Sequence, residues 1–302
     1  MVEHRRCGYV ALIGAPNAGK STLLNALSGS DIAIVTPKPQ TTRARLRGIV
    51  NHGQSQIIFI DTPGIFDAKP VFEKAMVASA WIGVGEADVV LLLVDAHRKA
   101  DDDTRRIIEA LKTHGKAVIL VLNKVDKVQK EALLILSQEL YALFDFERSF
   151  MISASKGNGV ADITRYLAEK MPPGEWLYPE DEVTDVSERH LAAEITRETC
   201  FLALHAELPY SLAVETEKWE EHTHDGKREV RIHQTIMVER ESQKKIVLGK
   251  SGAMLKHIGS AARGKIGGLL QAQVHLLLFV KVSETWKSDP AMVATMGLEA
   301  KK

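Results

Sequence analysis

Residues Gly14, Ala15, Pro16, Asn17, Ala18, Gly19, Lys20 and Ser21 match the phosphate-loop pattern G-x-x-x-x-G-K-[ST] at every constrained position. Its glycines let backbone N–H groups turn inward toward the α and β phosphates of a nucleotide, beside the positive end of the helix that follows. In that geometry Lys20 reaches the β and γ phosphates, Ser21 offers a hydroxyl to Mg²⁺, and Thr22 completes the phosphate-binding set. A glycine turn that fits the pattern by chance is the alternative. The apolar run before the loop and the helical pattern after it weigh against that alternative.

Three further tetrapeptides bear on which nucleotide is bound. In Asp61-Thr62-Pro63-Gly64 the carboxylate is suited to hold a metal through water, and the glycine N–H to meet a γ phosphate. In Asn123-Lys124-Val125-Asp126 the last carboxylate can accept from both N1–H and the N2 amino group of guanine, a donor pair that adenine lacks. In Ser153-Ala154-Ser155-Lys156 backbone N–H groups are placed to contact the guanine O6. Each tetrapeptide alone is weak. In this order, each at the C-terminal end of an apolar run, they predict a site for GTP and GDP, because open α/β sheets bind ligands at those strand ends. A kinase or ATPase built on the same loop is disfavoured by Asp126.

Groups so spaced need a sheet to converge. Apolar runs at residues 9–13, 56–60, 88–94, 117–122 and 149–152 read as strands, and helical patterns lie between them, as at 21–27, 103–112 and 130–143. Runs apolar on both faces belong in a sheet covered on both sides, so a doubly wound, mostly parallel α/β domain is predicted over residues 1–172. Asp101, Asp102 and Asp103 are expected to cap a helix start. Pro172, Pro173 and Pro179 with the acidic Glu180, Asp181 and Glu182 mark a stiff linker, taken as residues 173–188.

Beyond the linker the pattern changes to a smaller α+β domain over residues 189–287, followed by a tail at 288–302. It reads as a helix at 189–206, strands at 211–220 and 229–239, a strand end at Ile246, Val247 and Leu248, a helix from 253 to 262 and a strand at 274–282. Gly249-Lys250-Ser251-Gly252 is a Gly-x-x-Gly loop, a pattern common enough by chance that a second occurs at Gly264-Lys265-Ile266-Gly267. The first lies before an amphipathic helix, the arrangement of a KH domain, whose loop clamps the backbone of single-stranded nucleic acid. The second reads as a bend between helices, and the helix through it is expected to be short or mobile, since each internal glycine costs roughly 1 kcal/mol of helix stability.

Whole-chain charge is uninformative, with 39 lysines and arginines against 39 aspartates and glutamates. Locally it is not. Lys244, Lys245, Lys250, Lys256, Arg263, Lys265, Lys281 and Lys287 face the single acid Glu284, which suits a phosphate backbone; a solvated lysine face is the alternative. The RNA-contacting set expected here is Gly249, Lys250, Ser251, Gly252, Lys256 and Arg263. Two cysteines without ligand spacing, no apolar leader and no long apolar run predict a cytoplasmic chain.

The four nucleotide motifs together resemble the translation-factor-related GTPases, and within them the bacterial Era family. The resemblance extends through Ala192-Ala193-Glu194-Ile195-Thr196-Arg197-Glu198 and Leu208-Pro209-Tyr210-Ser211-Leu212-Ala213-Val214 to Val274-His275-Leu276-Leu277-Leu278-Phe279-Val280-Lys281-Val282. It implies that Gln40-Thr41-Thr42-Arg43 is the first switch, with Thr42 ahead of Thr41 as the Mg²⁺ ligand beside Ser21 and Asp61, and that a second switch begins at Asp61, Thr62, Pro63, Gly64 and Ile65. Ile65 stands where Ras-like enzymes carry the glutamine that orients the attacking water, so slow intrinsic hydrolysis is expected. Asn17 either simply tolerates a turn or, as the resemblance implies, helps bind K⁺. The resemblance further implies RNA binding at the 3′ end of 16S ribosomal RNA, a role in small ribosomal subunit assembly, and weak peripheral association with the inner membrane surface; the chain is expected to be a monomer. A GTPase whose C-terminal domain binds protein instead of RNA is the competing class.

Overall fold

A computed structural model describes residues 5–36, 38, 41–68, 70–287 and 298 of the chain. Gln40 and Lys69, in the expected switch segments, lie outside the described residues, as does the tail from 288 on apart from Leu298. Two compact units part between Asp185 and Val186.

The first unit is a six-stranded sheet in the order β2-β3-β1-β4-β5-β6. Its strands are β1 (Arg6–Gly14), β2 (Leu46–His52), β3 (Ser55–Asp61), β4 (Val89–Asp95), β5 (Ala117–Asn123) and β6 (Arg148–Met151). All neighbours are parallel except β2, which pairs antiparallel to β3. Alternate side chains along β1 enter opposite cores. Val10 and Leu12 pack toward α1 (Lys20–Ser28) and α5 (Val160–Lys170), whereas Ala11 and Ile13 face α2 (Val71–Glu86), α3 (Asp102–Leu111) and α4 (Lys130–Leu143). The doubly wound fold is therefore as expected, and so is the cap: the Asp101 side chain accepts from the Thr104 N–H at 2.9 Å.

Strand β2 has no counterpart in the sequence reading, because Gly48 interrupts its apolar pattern. Helix α1 explains that glycine. A Cβ at Gly48 would come within 2.5 Å of Leu24 Cδ1. The proline-rich segment after α5 is held against this outer strand. Buried Gln56 accepts the Leu177 and Tyr178 N–H groups at 2.9 and 3.0 Å and donates to the Tyr178 carbonyl at 2.9 Å. The Ile49 N–H donates to the Val183 carbonyl, which covers part of the edge of β2.

The second unit runs α6 (Glu188–Ala203), β7 (Leu212–His224), β8 (Lys227–Val238), α7 (Glu241–Leu248), α8 (Ala253–Leu270) and β9 (Gln273–Val282). Its sheet is ordered β7-β8-β9, with β7 antiparallel and β9 parallel to β8. Asp225 and Gly226, at φ 48° and 73°, make the tight turn between β7 and β8. His222 and His224 lie on the exposed end of β7.

Two expectations fail here. Ile246, Val247 and Leu248 are not a strand end but the last turn of α7, and only Val247 of the three is buried. Gln243 stabilises that helix start, its Oε1 accepting the Glu239 and Arg240 N–H groups at 2.8 and 3.1 Å. Nor does the second glycine pattern bend the chain. Helix α8 continues through Gly264, Gly267 and Gly268 to Leu270 because Ala262, Ile266 and Leu270, four apart, are buried against Val230, Ile232 and Val274. That packing offsets the cost of the glycines.

Candidate functional site

The phosphate loop joins β1 to α1, and its shape is held by cations on its carbonyls. Buried Lys20 donates through Nζ to the Gly14 and Ala15 carbonyls at 3.1 and 3.2 Å. Arg98 Nη1 donates to the Pro16 carbonyl at 3.3 Å, and Lys124 Nζ to the Asn17 carbonyl at 2.6 Å. Asn17 sits at φ 65°, a left-handed conformation that asparagine tolerates better than most residues. At Gly19 (φ 98°) a Cβ would lie 2.2 Å from Asn123 Nδ2, so no side chain fits. The loop opens on a cleft of about 360 Å³ whose lining includes Pro16, Lys20, Ser21, Thr22, Thr41, Thr42, Gly64 and Lys124.

Three oxygen-bearing side chains from three separate segments meet in this cleft. The Ser21 hydroxyl donates to Asp61 Oδ2 at 2.8 Å, Thr42 Oγ1 donates to the same oxygen at 3.1 Å, and the two hydroxyls lie 2.8 Å apart. Asp61 Oδ1 is buried with no hydrogen-bond partner among the described residues. A hard divalent cation fits this set, since Mg²⁺ is held by one or two protein oxygens with water and phosphate completing the octahedron. Burial raises the Asp61 carboxyl above its ordinary range, while Lys20, Ser21, Thr42 and the Thr62 backbone oppose the shift. Burial pushes Lys20 down to about 8, with the charge of Asp61 acting against it.

The segment expected to be the second switch is anchored at the same loop. Gly64 lies against Pro16, where a Cβ would approach the proline ring at 2.9 Å. Thr62 Oγ1 donates to the Leu12 carbonyl at 2.7 Å, a structural bond within the sheet. Ile65 donates its N–H to the Gly14 carbonyl, and its side chain is buried in the core that holds Ala11 and Ile13.

The two segments expected to contact the base converge through Asn123. Its Nδ2 donates to the Ala18 carbonyl at 2.9 Å, and its Oδ1 accepts the Lys124 and Ala154 N–H groups at 2.8 and 3.0 Å. One amide thereby ties the phosphate loop, the Asn123–Asp126 turn and the Ser153–Ser155 turn together. Asp126 faces Lys156 Nζ at 3.3 Å, and the Ser153 side chain and Lys156 hold its carboxyl below the usual range. One contributor lies outside the four motifs: Asp95 ion-pairs Lys124 at 2.7 Å, and its position at the C-terminal end of β4 was the available signal. Lys156, the last residue of the fourth motif, pairs Asp126 of the third.

In the second unit the first Gly-x-x-Gly loop connects α7 to α8. Gly249 (φ 70°) and Gly252 (φ 80°) are both left-handed, and a Cβ on Gly249 would strike the Met254 backbone nitrogen at 2.8 Å. Ser251 is also left-handed at φ 50°. The result is a tight turn with Lys250 and Ser251 exposed at its tip. Gly252, the residue that caps α8, provides no side-chain bond; the Ala253 N–H donates to the Lys250 carbonyl, so the loop sits at the positive end of that helix. Lys256 and Arg263 are exposed on α8, whereas Lys265 and Lys287 are neutralised by Glu198 and Glu239 at 2.6 and 2.8 Å.

Comparison with known proteins agrees with both halves. Residues 9–124 match the family described as 50S ribosome-binding GTPase, and residues 207–287 match the KH domain. The chain is 55% identical over 292 residues to GTPase Era of Mesorhizobium japonicum, covering 97% of this chain and 93% of that one. It is 53% identical over 294 residues to GTPase Era of Brucella suis, covering 97% and 94%. A crystal structure of Era in complex with MgGDPNP and nucleotides 1506–1542 of 16S ribosomal RNA superposes with a TM-score of 0.92 at 38% identity, covering 98% of this chain and all of that one. An Aquifex aeolicus Era variant bound to GDP·AlF₄⁻ gives a TM-score of 0.91 at 38% identity, covering 97% and 99%.

Proposed function

The chain belongs to the Era family of GTPases, and from that premise we propose that it is a GTP-driven switch that binds the 3′ end of 16S ribosomal RNA and assists assembly of the small ribosomal subunit. The observation that carries this reading is the convergence of Ser21, Thr42 and Asp61 within 3.1 Å in the cleft of Lys20, in a chain that also carries the Gly249–Gly252 turn. Residues 1–172 do the nucleotide chemistry, 189–287 bind RNA and 173–188 connect them. The protein acts as a monomer in the cytoplasm, with weak peripheral association at the inner membrane surface. Among the described residues no helix is long and apolar enough to cross a membrane. Cross-linking to RNA in the presence of GTP or GDP, followed by sequencing of the attached fragment, tests the assignment. Fragments unrelated to 16S RNA in both states would refute it.

Each residue has a role in this reading. Lys20 and the N–H groups from Gly14 to Thr22 hold the phosphates, and Gly64 senses the γ phosphate. Ser21, Thr42 and Asp61 hold Mg²⁺, which supplies charge neutralisation on the phosphate oxygens when bound. Asp126 reads the guanine donors, and backbone N–H groups of Ser153, Ala154 and Ser155 meet its O6. Asn123 and Lys124 hold these turns to the phosphate loop. GTP orders Thr41, Thr42 and the segment from Gly64, and that state favours RNA binding at Gly249, Lys250, Ser251, Gly252, Lys256 and Arg263.

Because the Ile65 side chain is committed to the core, it cannot orient a water, and intrinsic turnover is slow. Asn17 is the proposed K⁺ contact beside the phosphates, so turnover in K⁺ should exceed that in Na⁺ several-fold. Steady-state phosphate release in the two salts at equal ionic strength decides this, and equal rates would sink it.

Lys20 yields a pH prediction. In the free protein its ammonium is lost as pH rises through about 8. Bound phosphates favour the charged form, so binding above that pH requires uptake of a proton. GDP affinity should be level below it and fall by up to about tenfold per pH unit above it. Calorimetry in buffers of different ionisation enthalpy measures the uptake. An affinity independent of pH up to about 9.5 would contradict the assignment.

A further inference from the structure

Three consecutive carbonyls of the phosphate loop, those of Ala15, Pro16 and Asn17, each accept from a different cation. Two of the three cations, Lys20 and Lys124, belong to the nucleotide-binding motifs. The third is Arg98, which no motif contains. It stands in the turn after β4, where its N–H donates to the Asp95 carbonyl at 2.9 Å and the His97 N–H donates to Asp95 Oδ1 at 3.1 Å. The other oxygen of Asp95 is ion-paired to Lys124 at 2.7 Å. One carboxylate therefore registers the Arg98 turn to the nucleotide site.

The contact made by Arg98 is at the part of the loop that faces Gly64. Pro16 is the residue on which Gly64 packs, so Arg98 and the second switch meet the same residue. Arg98 lines the same cleft as Lys20, Ser21, Thr42 and Gly64, and it is exposed, so its guanidinium is free to turn from a carbonyl to an anion. Ile65, meanwhile, presents no polar group to the cleft. Resting on the GTPase assignment, we propose that Arg98 is a cation supplied in cis, which leaves the Pro16 carbonyl to contact the β and γ phosphates during hydrolysis.

In that step water forms a bond to the γ phosphorus while the bond from γ phosphorus to the bridging oxygen breaks. The electron pair stays on the β phosphate of GDP, and the proton from water leaves with inorganic phosphate. Charge therefore grows on oxygens that a planar guanidinium can pair with two N–H donors. Donors aimed at developing charge act on the transition state more than on bound GTP or GDP.

The test is Arg98→Ala and Arg98→Lys in the full-length protein. Arg98→Ala should lower kcat roughly tenfold or more and weaken GDP·AlF₄⁻ binding in parallel, with GDP affinity within about twofold of wild type. Arg98→Lys should recover part of both losses. A kcat within about twofold of wild type in K⁺ and in Na⁺ overturns the proposal. So does a fall in GDP affinity equal to the fall in rate, because Arg98 would then only brace the loop. A wild-type chain with no GTP hydrolysis at all would instead overturn the function on which the proposal rests.

Discussion

Asp126→Asn is expected to abolish the preference for guanine: GDP and GTP affinity should fall by roughly a hundredfold or more, while affinity for xanthine nucleotides rises. The reason lies in the donor pattern. A carboxylate presents only acceptors, which suits the N1–H and N2 amino donors of guanine, and Ser153 and Lys156 keep Asp126 in that ionised form. An asparagine amide puts an N–H donor against one of those donors, leaving it unmatched. Xanthine carries a carbonyl oxygen in place of the amino group and accepts from that same N–H. The framework that positions the residue survives the substitution, because the tie between the segments is made by Asn123, not by Asp126. Competition of GDP, XDP and ADP for a fluorescent nucleotide reads the result. An unchanged order of preference would remove Asp126 from base recognition.

Replacing Lys250 and Ser251 together by aspartate should weaken binding of an oligonucleotide from the 3′ end of 16S RNA on the order of a hundredfold at about 0.1 M salt, with GTP hydrolysis retained. Both residues are exposed at the tip of a turn whose backbone is set by Gly249 and Gly252, so the change alters charge without altering the turn. The turn sits at the positive end of α8, a place that favours a phosphate. Two carboxylates there oppose it directly. The salt dependence should flatten by about one unit of log–log slope for each lost phosphate contact, which separates an electrostatic loss from unfolding. If RNA binding persists at full strength, the competing reading gains: the second unit would serve a protein partner.

These outcomes differ in how far the linear chain foretold them. The nucleotide site was legible because its chemistry is carried by short contiguous motifs. Gly14 to Ser21, Asp61 to Gly64, Asn123 to Asp126 and Ser153 to Ser155 each contain their own turn, and the first three follow strands buried on both faces near the site, while the fourth follows the short edge strand β6. Strand order then brings them to one edge of the sheet, so their convergence followed from the fold class. Composition and spacing sufficed for the Gly249–Gly252 turn too, although its flanks were misread. In a three-residue apolar run, helix and strand periods cannot be told apart, and the side-chain cap from Gln243 decided for helix. The glycines of α8 misled for the related reason that propensity is local, whereas the burial of Ala262, Ile266 and Leu270 is not.

Other features belong to the tertiary structure alone, because they join residues far apart in sequence whose types are individually unremarked. Gly48 reads as a break until Leu24 is found 2.5 Å from where its Cβ would be. Thr42 was named as a ligand by resemblance, but only the packed structure brings its hydroxyl within 3.1 Å of Asp61. Arg98 and Asp95 lie outside every motif and enter the site through a carbonyl contact and an ion pair with groups that are inside one, and Lys156 of the fourth motif reaches Asp126 of the third only in the folded chain. Motif spacing determined which nucleotide this chain selects. The charges that surround it were decided by which side chains the fold brings within 3.3 Å of the motif residues.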